Sequence, residues 1–489
     1  MINLPKDFVD YTRRLLGNDA FDSLAAALDD EASVSVRRNV SKCGDSLSLS
    51  LGESVPWFDG GVYLPTRPAF TFDPLFHAGC YYVQEASSMF VGRVLQNMVD
   101  TPSLMLDLCA APGGKSTLAR SVLPEGSLLV SNEIVRQRAQ VLAENMIKWG
   151  NPYTIVTQNA SEDFAPFREL FDVVLADVPC SGEGMFRKDE KSVAEWSTDN
   201  VDICWKRQRE IIANVWSSIK QGGLLIYSTC TYNALENEQN VRWIIDEYGA
   251  EPIEIPLETE WEISGDVDSE PSKKLPVYRF FPSKLRGEGF FLAVLRKPFA
   301  ENERRESVHE DNTLCNPSEG KNKKRRTGKA DMQRLPVFPK EVKRWITADE
   351  DYDWQVEEGG ARVVAFPKRY SSLLTRMRLE LTVIHAGITI AELKGKDWVP
   401  HHALSMSTML NREEVFPCAE VSIDVALAYL RREAVVLDAS VPRGFILITY
   451  RGIPLGFVKN VGNRANNLYP QEWRIRSGHL PEESISVLE

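Results

Sequence analysis

Two cysteines follow two apolar segments of the chain that are predicted to be strands. Cys180 lies in "LADVPCSGEG", residues 175–184, and Cys230 lies in "YSTCTYNALENEQ", residues 227–239. A cysteine thiolate is a strong nucleophile near neutral pH, and a thiol is also a good leaving group. A single cysteine at the end of a strand is usually a small buried residue. The pair, however, indicates a reaction in which a substrate is attacked covalently and then released.

The elements around these cysteines alternate between apolar strands and longer helices. The predicted strands are residues 104–110, 127–133, 153–158, 171–179 and 224–231, and the predicted helices are 113–123, 136–150, 203–223 and 235–249. The third of these helices is expected to stop at Gly222 and Gly223. This alternation is typical of a doubly wound, parallel α/β sheet that is covered on both faces. Because such sheets bind ligands at the carboxyl ends of their strands, both cysteines are expected at one edge.

Other segments flank this sheet. Residues 1–80 predict a small α+β module with helices at 4–16 and 19–28 and a strand at 32–36, and a further helix is expected within 84–99. Residues 277–282 and 289–298 predict a closing hairpin. Residues 300–334 are nearly devoid of apolar side chains, which is typical of a linker. Apolar periodicity returns near residue 335, and two β runs joined at Arg451 and Gly452 precede the C-terminus.

Composition limits the classes of function. The chain has 489 residues and a net charge of −12, which argues against a nucleic-acid partner, although a local basic surface can coexist with an acidic remainder. Its eight cysteines are scattered, without the spacing of a zinc site or a disulfide framework, so we expect reduced thiols and no metal. The sequence contains no signal peptide and no long uncharged apolar run, which predicts a cytoplasmic protein without a membrane partner.

The stretch "LDLCAAPGGKST", residues 106–117, has two interpretations. A phosphate-binding loop of a nucleotide hydrolase would need a glycine where the chain has Cys109, so the match is incomplete. Alternatively, Gly113 and Gly114 form a strand-to-helix turn that lets the backbone approach a nucleoside cofactor closely. In that geometry an acid after the next strand binds the ribose hydroxyls, and Glu133 stands at that position.

Four stretches together resemble a known family. In their order and spacing, "QEASSM", "LDLCAAPGGKST", "DVPCSGEG" and "YSTCTY" resemble the Sun-type RNA (cytosine-5) methyltransferases, especially the bacterial RsmF-type enzymes that modify cytosine in small-subunit ribosomal RNA. The likeness covers residues 1–299, and residues 450–476 are similar to the PUA-like RNA-binding tail of that subfamily. The resemblance implies a Rossmann-like methyltransferase sheet, S-adenosylmethionine as the cofactor, and RNA as the substrate, with small-subunit ribosomal RNA or the assembling subunit as the expected partner of a monomer.

The resemblance also divides the chain. The expected regions are an N-terminal α+β RNA-binding module at 1–80, the methyltransferase domain at 81–299, a charged linker at 300–334, an intermediate α+β domain at 335–415 and a PUA-like RNA-binding domain at 416–489.

The chemistry of cytosine methylation explains the need for two thiols. Carbon 5 of cytosine is a poor nucleophile, but addition of a thiolate at C6 makes it reactive toward a methyl donor. The resemblance implies that Cys230 attacks and that Cys180 helps to release the product. The residues alone do not rank the two thiols, since the DNA cytosine methyltransferases attack with the cysteine that follows proline. Asp177 is expected to bind the ring at N3 and the exocyclic amine, or merely to cap the following turn, and Lys115 to lower a thiolate pKa or orient Asp177.

The expected cofactor site combines the turn with three acidic or amide residues beyond it. Its members are Cys109, Ala110, Ala111, Pro112, Gly113, Gly114, Lys115, Glu133, Asn159 and Asp177. Cys109 is expected mainly to pack, with its backbone near the cofactor. Members of the family usually carry an aspartate for the adenine amine where this chain has Asn159 and Ala160. Either the amide oxygen of Asn159 or the carboxylate of Asp163 would then serve instead.

RNA contacts are predicted from basic and aromatic residues. Arg187 and Lys188 would hold phosphate near the base that is flipped out, and the basic segment 321–329 would add affinity that is independent of sequence, unless both are merely solvated. In the tail, the mixture of cations and aromatic rings typical of RNA binding comprises Arg451, Lys459, Arg464, Tyr469, Trp473 and Arg474, although Tyr469 and Trp473 also fit a core. Transfer RNA as the substrate, and an inactive RNA-binding assembly factor, remain the alternatives.

Overall fold

The computed structural model of the protein describes residues 2–44, 47, 52–268, 274–299, 339–357, 361–477 and 487–488. The predicted basic segment 321–329 lies outside the described residues. Within them, no helix is both long enough and apolar enough to cross a lipid bilayer.

The N-terminal module is a small sheet with helices at its edges. Its elements are α1 (Lys6–Leu16), α2 (Asn18–Asp29), β1 (Val34–Arg38), α3 (Val40–Cys43), β2 (Glu53–Ser54), β3 (Gly61–Leu64), α4 (Pro74–His77) and β4 (Tyr81–Val83). The strands lie in the order β2-β3-β1-β4. The predicted α+β composition is confirmed, with β1 beginning two residues later than expected. Phe8 of α1 and Phe21 of α2 pack against Trp196 and Tyr232, so these helices cover part of the next region.

The central region contains the predicted strands and helices. Its elements are α5 (Phe90–Met98), β5 (Leu104–Asp107), α6 (Gly114–Val122), β6 (Leu128–Asn132), α7 (Arg136–Trp149), β7 (Thr154–Thr157), β8 (Phe171–Asp177), α8 (Glu190–Glu195), α9 (Thr198–Trp216), β9 (Ile219–Thr229), α10 (Glu238–Tyr248), β10 (Glu251–Ile253), β11 (Val277–Phe280) and β12 (Phe290–Arg296). The strand segments in this list form strands rather than helices because their apolar runs are short and buried on both faces of the sheet.

The main sheet has the order β10-β12-β9-β8-β5-β6-β7, with β11 paired to β12. The five strands from β9 to β7 are parallel. The chain runs outward from β5 in one direction and returns to β8 on its other side, so the order reverses between β5 and β8. In a doubly wound sheet this reversal opens a crevice at the carboxyl ends of the strands. The doubly wound fold is confirmed, and the predicted hairpin is β11 with β12.

The predicted end of the long third helix is wrong. α9 ends at Trp216, and Gly222 and Gly223 lie inside β9 instead. Gly222 has φ of 72°, and a side chain there would meet the ring of Phe299. These glycines therefore make an irregularity in the strand next to β8 rather than a helix stop. Glycine is common both at the ends of helices and at bulges in strands, so the local sequence does not distinguish a helix end from a strand bulge.

The C-terminal region forms two further sheets. Its elements are β13 (Tyr352–Val356), β14 (Arg362–Pro367), α11 (Ser371–Glu380), β15 (Val383–Ala386), β16 (Ile388–Lys394), β17 (Asp397–Pro400), α12 (His402–Met406), α13 (Arg412–Val415), β18 (Cys418–Glu420), α14 (Ile423–Leu430), β19 (Gly444–Tyr450), β20 (Ile453–Asn460) and β21 (Ala465–Asn467). The sheets have the orders β13-β14-β16-β17 and β18-β19-β20-β21. The predicted β runs joined at Arg451 and Gly452 are the antiparallel pair β19 and β20.

Strand pairing and a shared hydrophobic core are among the contacts that attach this region to the rest of the molecule. Strand β15 pairs antiparallel with β7 and so becomes the edge strand of the central sheet. Tyr429 of α14 and Ile448 of β19 share one hydrophobic core with Val36 and Leu75 of the N-terminal module. The two ends of the chain are therefore packed together, which the sequence did not predict. The predicted domain limits stay predictions.

Candidate active site

A cavity of about 650 Å³ opens at the carboxyl ends of β5, β6, β8 and β9. This volume is typical of a site for a small molecule or cofactor. Seven of the predicted site residues line it, namely Cys109, Ala111, Glu133, Asn159, Asp177, Cys180 and Cys230. The remaining predicted residues form the turn behind it. The structure thus brings together residues that are more than a hundred positions apart in the sequence.

The turn between β5 and α6 is shaped by glycine. Gly113 has φ of 112° and immediately precedes the first turn of α6. Its amide donates to the carbonyl of Ala110 over 2.8 Å, and the amide of Ala110 donates to the carbonyl of Asn132 over 2.8 Å. A Cβ atom at Gly113 would be strained by this φ and would approach Leu142 to 3.3 Å. The turn therefore holds its backbone close to the cavity, as an extended ligand at a helix N-terminus requires.

Glu133 stands at the end of β6 with its carboxylate almost buried. One oxygen accepts the amide hydrogen of Val135 over 2.9 Å, and the other lies 3.4 Å from the guanidinium of Arg138. Arg138 also donates to the carbonyl of Ala111 in the turn. A fixed acid on the cavity wall after the second strand of the unit is the arrangement that binds ribose hydroxyls in nucleotide-binding sheets.

Sequence reasoning missed Asp107, the last residue of β5. The side chain is fully buried, and Ser116 donates to its Oδ2 over 2.6 Å, whereas its Oδ1 has no hydrogen-bond partner within the described part of the chain. Burial is the main reason that the pKa of Asp107 rises to about 7, and the charge of Asp177 adds to the rise. The signal that could have found it is a carboxylate inside an otherwise apolar strand. An ammonium group of a bound cofactor would supply the missing donor.

The two cysteines meet, as predicted. The Sγ atoms of Cys180 and Cys230 are 3.1 Å apart, and the amide of Cys230 donates to the sulfur of Cys180 over 3.3 Å. The hydrogen bond to Cys230, followed by burial and by the charge of Cys230, raises the pKa of Cys180 well above its ordinary value. Cys180 therefore remains a thiol, and either sulfur can donate in the contact between the two residues.

Asp177 and Lys115 form an ion pair beside the thiols. The Nζ of Lys115 donates to Asp177 Oδ2 over 2.8 Å, and Ser228 donates to Asp177 Oδ1 over 2.8 Å. Burial opposes the charge of Lys115, but the contact with Asp177 outweighs it, so the pKa of Lys115 is raised. Lys115 also lies 5.2 Å from the ring centroid of Phe290. The pair thus presents a fixed acid and base at the end of β8.

Cys109 differs from the other two thiols. Burial, then the charges of Asp177, Asp107 and Glu133, raise its pKa far above the ordinary value. Cys109 thus stays protonated and packs in the turn, which agrees with its expected structural role. Within the described residues, no three His, Cys, Asp or Glu side chains lie close enough to bind a metal ion.

Asn159 is held from both sides. Its Nδ2 donates to Asp163 over 2.9 Å, and its Oδ1 accepts the amide hydrogen of Thr382, which directly precedes β15. Asp163 Oδ2 also accepts the amide hydrogen of Ala160. Both residues offered by the sequence for the adenine amine therefore already have partners, and Asn159 connects the cavity rim to the C-terminal region. The adenine contact stays a prediction.

The predicted role of Arg187 in phosphate binding is wrong. Its side chain is 7% exposed and forms a two-bond ion pair with Glu288, with both distances 3.0 Å. It also donates to the carbonyl of Gly287. Arg187 therefore has a structural role, because its buried guanidinium joins its own segment to the distant segment that carries Glu288. Lys188 is 28% exposed and lies 3.4 Å from the same carboxylate.

The two aromatic residues predicted for the tail surface differ in their burial. Tyr469 is buried against His402 and Tyr429, so it belongs to the core rather than to an RNA surface. Trp473 is half-buried beside His402 and lies 5.0 Å from the Nζ of Lys148. Three predicted cations of the tail are exposed, namely Arg451, Arg464 and Arg474.

The parallel sheet, the glycine turn at its point of reversal and the acid after β6 define the protein as a Rossmann-like methyltransferase. Family models match in three places: the N-terminal domain of 16S rRNA methyltransferase RsmF at residues 4–86, 16S rRNA methyltransferase RsmB/F at 95–296, and the methyltransferase RsmF PUA domain at 416–475. The chain is 31% identical over 446 residues to ribosomal RNA small subunit methyltransferase F of Aliivibrio fischeri (strain MJ11), covering 88% of this chain and 86% of that protein.

A second relative, ribosomal RNA small subunit methyltransferase F of Erwinia tasmaniensis, is 28% identical over 494 residues, with 97% and 98% of the two chains covered. The chain belongs to the RsmB/F family of 16S rRNA methyltransferases, within its F branch. The predicted family, and with it an S-adenosylmethionine-dependent methyltransferase, is confirmed.

Solved structures agree on the fold. A methyltransferase homolog protein from Pyrococcus horikoshii has a TM-score of 0.51 at 24% identity, covering 60% of this chain and 96% of that one. NSun6 from Pyrococcus horikoshii, solved with SFG, has a TM-score of 0.50 at 19% identity, covering 60% and 99%.

Proposed function

We propose that the protein forms 5-methylcytosine in small-subunit ribosomal RNA through a transient covalent bond between Cys230 and C6 of the target base. The observation that carries this proposal is the 3.1 Å contact between the sulfurs of Cys180 and Cys230 in the wall of the cavity behind the glycine turn. One thiol suffices for attack, whereas a second thiol in contact with the first also serves its departure.

S-adenosylmethionine fits the residues around the cavity. Glu133 offers a carboxylate for the ribose, the turn at Gly113 allows close approach of the backbone, and the unpartnered oxygen of Asp107 accepts from an ammonium group. The remaining predicted members of the cofactor site are proposed to support it. When bound, the cofactor supplies an electrophilic methyl group.

The roles of the thiols are proposed from the family resemblance. Cys230 is the proposed nucleophile, and Cys180, whose pKa is raised, is the thiol in contact with it that serves its departure. The sulfur of Cys230 adds to C6 and the electron pair of the C5–C6 bond moves toward N3, where the Lys115 and Asp177 pair supplies a proton. C5 then takes the methyl group that the bound cofactor would supply, leaving S-adenosylhomocysteine. Loss of the C5 proton to water reforms the C5–C6 double bond and expels Cys230, whose negative charge the thiol of Cys180 stabilises, and the N3 proton returns to the Lys115 and Asp177 pair.

RNA binding is proposed to involve both ends of the chain. The last sheet shares a hydrophobic core with the N-terminal module, and Arg451, Arg464 and Arg474 of the tail are exposed. Such cations bind phosphate without regard to sequence. We further propose that the enzyme acts in the cytoplasm and as a monomer, which would suit docking on a large RNA or ribonucleoprotein.

The test is methyl transfer from a labelled donor to small-subunit ribosomal RNA, followed by bisulfite sequencing. The wild type is expected to modify one or a few cytosines, Cys230→Ala to modify none, and Cys180→Ala to remain attached to RNA in denaturing electrophoresis. Label on transfer RNA alone would contradict the ribosomal target. Binding of RNA and S-adenosylmethionine without any transfer would identify an inactive assembly factor instead.

A further inference from the structure

Two buried glutamates connect the segments that carry the cysteines. We propose that Glu183 and Glu236 are positioning residues, which fix the two thiols relative to each other by each binding the backbone of the opposite segment. Glu183 follows Cys180 by three residues, and Glu236 follows Cys230 by six. Both side chains are fully buried. This inference rests on the proposed function, since it assigns roles within the same two-thiol reaction.

Glu236 holds the peptides on both sides of Cys180. Its Oε2 accepts the amide hydrogen of Ser181 over 3.0 Å and a hydrogen of the Gln208 amide over 2.6 Å. The same Nε2 of Gln208 donates to the carbonyl of Pro179 over 2.9 Å. Cys180 therefore sits between two anchored peptide groups, and Glu236 with Gln208 closes the clamp.

Glu183 holds the residues that follow Cys230. Its Oε2 accepts the amide hydrogens of Tyr232 and Asn233 over 2.7 and 2.9 Å. Its Oε1 accepts the indole hydrogen of Trp196 over 3.0 Å. The carboxylate that belongs to the Cys180 segment thus fixes the backbone of the Cys230 segment, which is the reciprocal of the arrangement at Glu236.

Asn233 joins the two carboxylates. Its Nδ2 lies 3.1 Å from Glu183 Oε1 and 2.7 Å from Glu236 Oε1. Nearby, the hydroxyls of Ser181 and Thr231 are 2.8 Å apart. The contacts between the two segments therefore form one continuous network, and the contact of the two sulfurs lies at its edge.

Carboxylates are required here because every contacting group is a donor. An amide in place of either glutamate would direct its own hydrogens at N–H groups and leave buried donors without acceptors. The negative charge of Glu236 is unfavourable at this buried position, since burial, and then the charge of Glu183, raise the pKa of Glu236 to about 7. Such a perturbed acid in contact with a site is typical of a functional role.

The two glutamates are expected to affect different steps. In Glu236→Gln the clamp on Cys180 is lost, so release should be slowed while Cys180 is still present. The variant should retain RNA in denaturing electrophoresis, as Cys180→Ala does, with kcat reduced about 100-fold for a displacement near 1 Å and little change in KM. In Glu183→Gln the position of Cys230 is lost, so attack should be slowed. That variant should lose a similar factor in kcat without accumulating an adduct.

Asp73→Asn provides the matched control. Asp73 is also buried and accepts a backbone amide, from Leu75, together with the hydroxyl of Tyr81, but it contacts neither cysteine segment. This variant should shift thermal unfolding without changing kcat or the amount of adduct. Gln208→Met, which removes the clamp without changing an acid, is the second variant if Glu236→Gln does not fold, and it should also accumulate adduct.

The outcomes separate the two proposals. If Cys180→Ala traps RNA but neither Glu236→Gln nor Gln208→Met does, and their kcat equals that of the wild type, the positioning role is refuted and the thiol mechanism stands. If the glutamate variants lose activity only in proportion to unfolded protein, as Asp73→Asn does, the residues are merely structural and the inference is also refuted. If Cys180→Ala itself traps no RNA and Cys230→Ala still methylates, the proposed two-thiol function is refuted, whatever the glutamate variants do.

Discussion

Replacement of Asp107 by asparagine is expected to stabilise the free protein at alkaline pH. Asp107 ends β5 with a fully buried carboxyl whose pKa rises from 3.8 to about 7, mainly through burial. A group whose folded pKa is raised favours folding below its unfolded pKa, and that advantage is lost as the pH rises through the folded value. The loss is complete above pH 7 and corresponds to about 4 kcal/mol.

The Asp107→Asn variant avoids this loss because an asparagine side chain cannot ionise. The new amide hydrogens lack an acceptor where Oδ1 of Asp107 is unpartnered, which costs about 1–3 kcal/mol. The net gain in the free energy of unfolding at about pH 8 is therefore about 1–3 kcal/mol. Between about pH 5.5 and about pH 8 the wild type should lose about 2 kcal/mol more than the variant.

Urea unfolding at the two pH values, followed by tryptophan fluorescence, measures this difference. Comparison of the two proteins isolates Asp107 from Glu236, which also titrates near pH 7. The variant should also bind S-adenosylmethionine about tenfold or more weakly in calorimetry, because a hydrogen bond to a charged group is worth about 1.5–3 kcal/mol. Equal pH dependence of the two proteins would refute the argument from burial, and equal affinity would remove Asp107 from the cofactor site.

Four other substitutions test the assignments around the site. Arg187→Ala should lower the free energy of unfolding by about 3–5 kcal/mol, because it leaves the buried Glu288 without its main partner. Thermal unfolding measures this loss, and weaker RNA binding by the folded fraction would contradict the structural role. Asn159→Asp should lower the melting temperature, since it sets a second carboxylate against Asp163 and removes a donor, and a rise would contradict the contact described. Tyr469→Phe should leave RNA affinity unchanged because the ring is buried, whereas Arg474→Ala should weaken binding and reduce its salt dependence by about one charge in filter binding at several salt concentrations.

The sequence predicted the centre of the molecule well because the relevant forces are local. Parallel strands that are buried on both faces must be apolar throughout, so β5, β6 and β8 are visible as short apolar runs. The meeting of Cys180 and Cys230 then follows from topology, since both stand after adjacent parallel strands. Glu133 was predicted from its position, because the acid for the ribose hydroxyls follows the next strand after the glycine turn in such sheets.

The features that sequence reasoning missed depend on distant partners. Arg187 is basic and follows the Cys180 segment, but its environment is set by Glu288, 101 residues away. Strand β15 pairs with β7, which lies far from it in the sequence, and no local pattern specifies that pairing. Glu183 and Glu236 stand inside the two motifs themselves. Their reciprocal contacts become visible only when the two segments lie side by side.

Mapping of the bond between protein and RNA in Cys180→Ala tests the central claim most directly. The variant would be incubated with S-adenosylmethionine and small-subunit ribosomal RNA, digested with protease and nuclease, and analysed by mass spectrometry. We predict one peptide spanning Cys230 that carries a methylated cytidine nucleotide. Recovery of every Cys230 peptide without a nucleotide, while methyl groups still reach the RNA, would contradict the account.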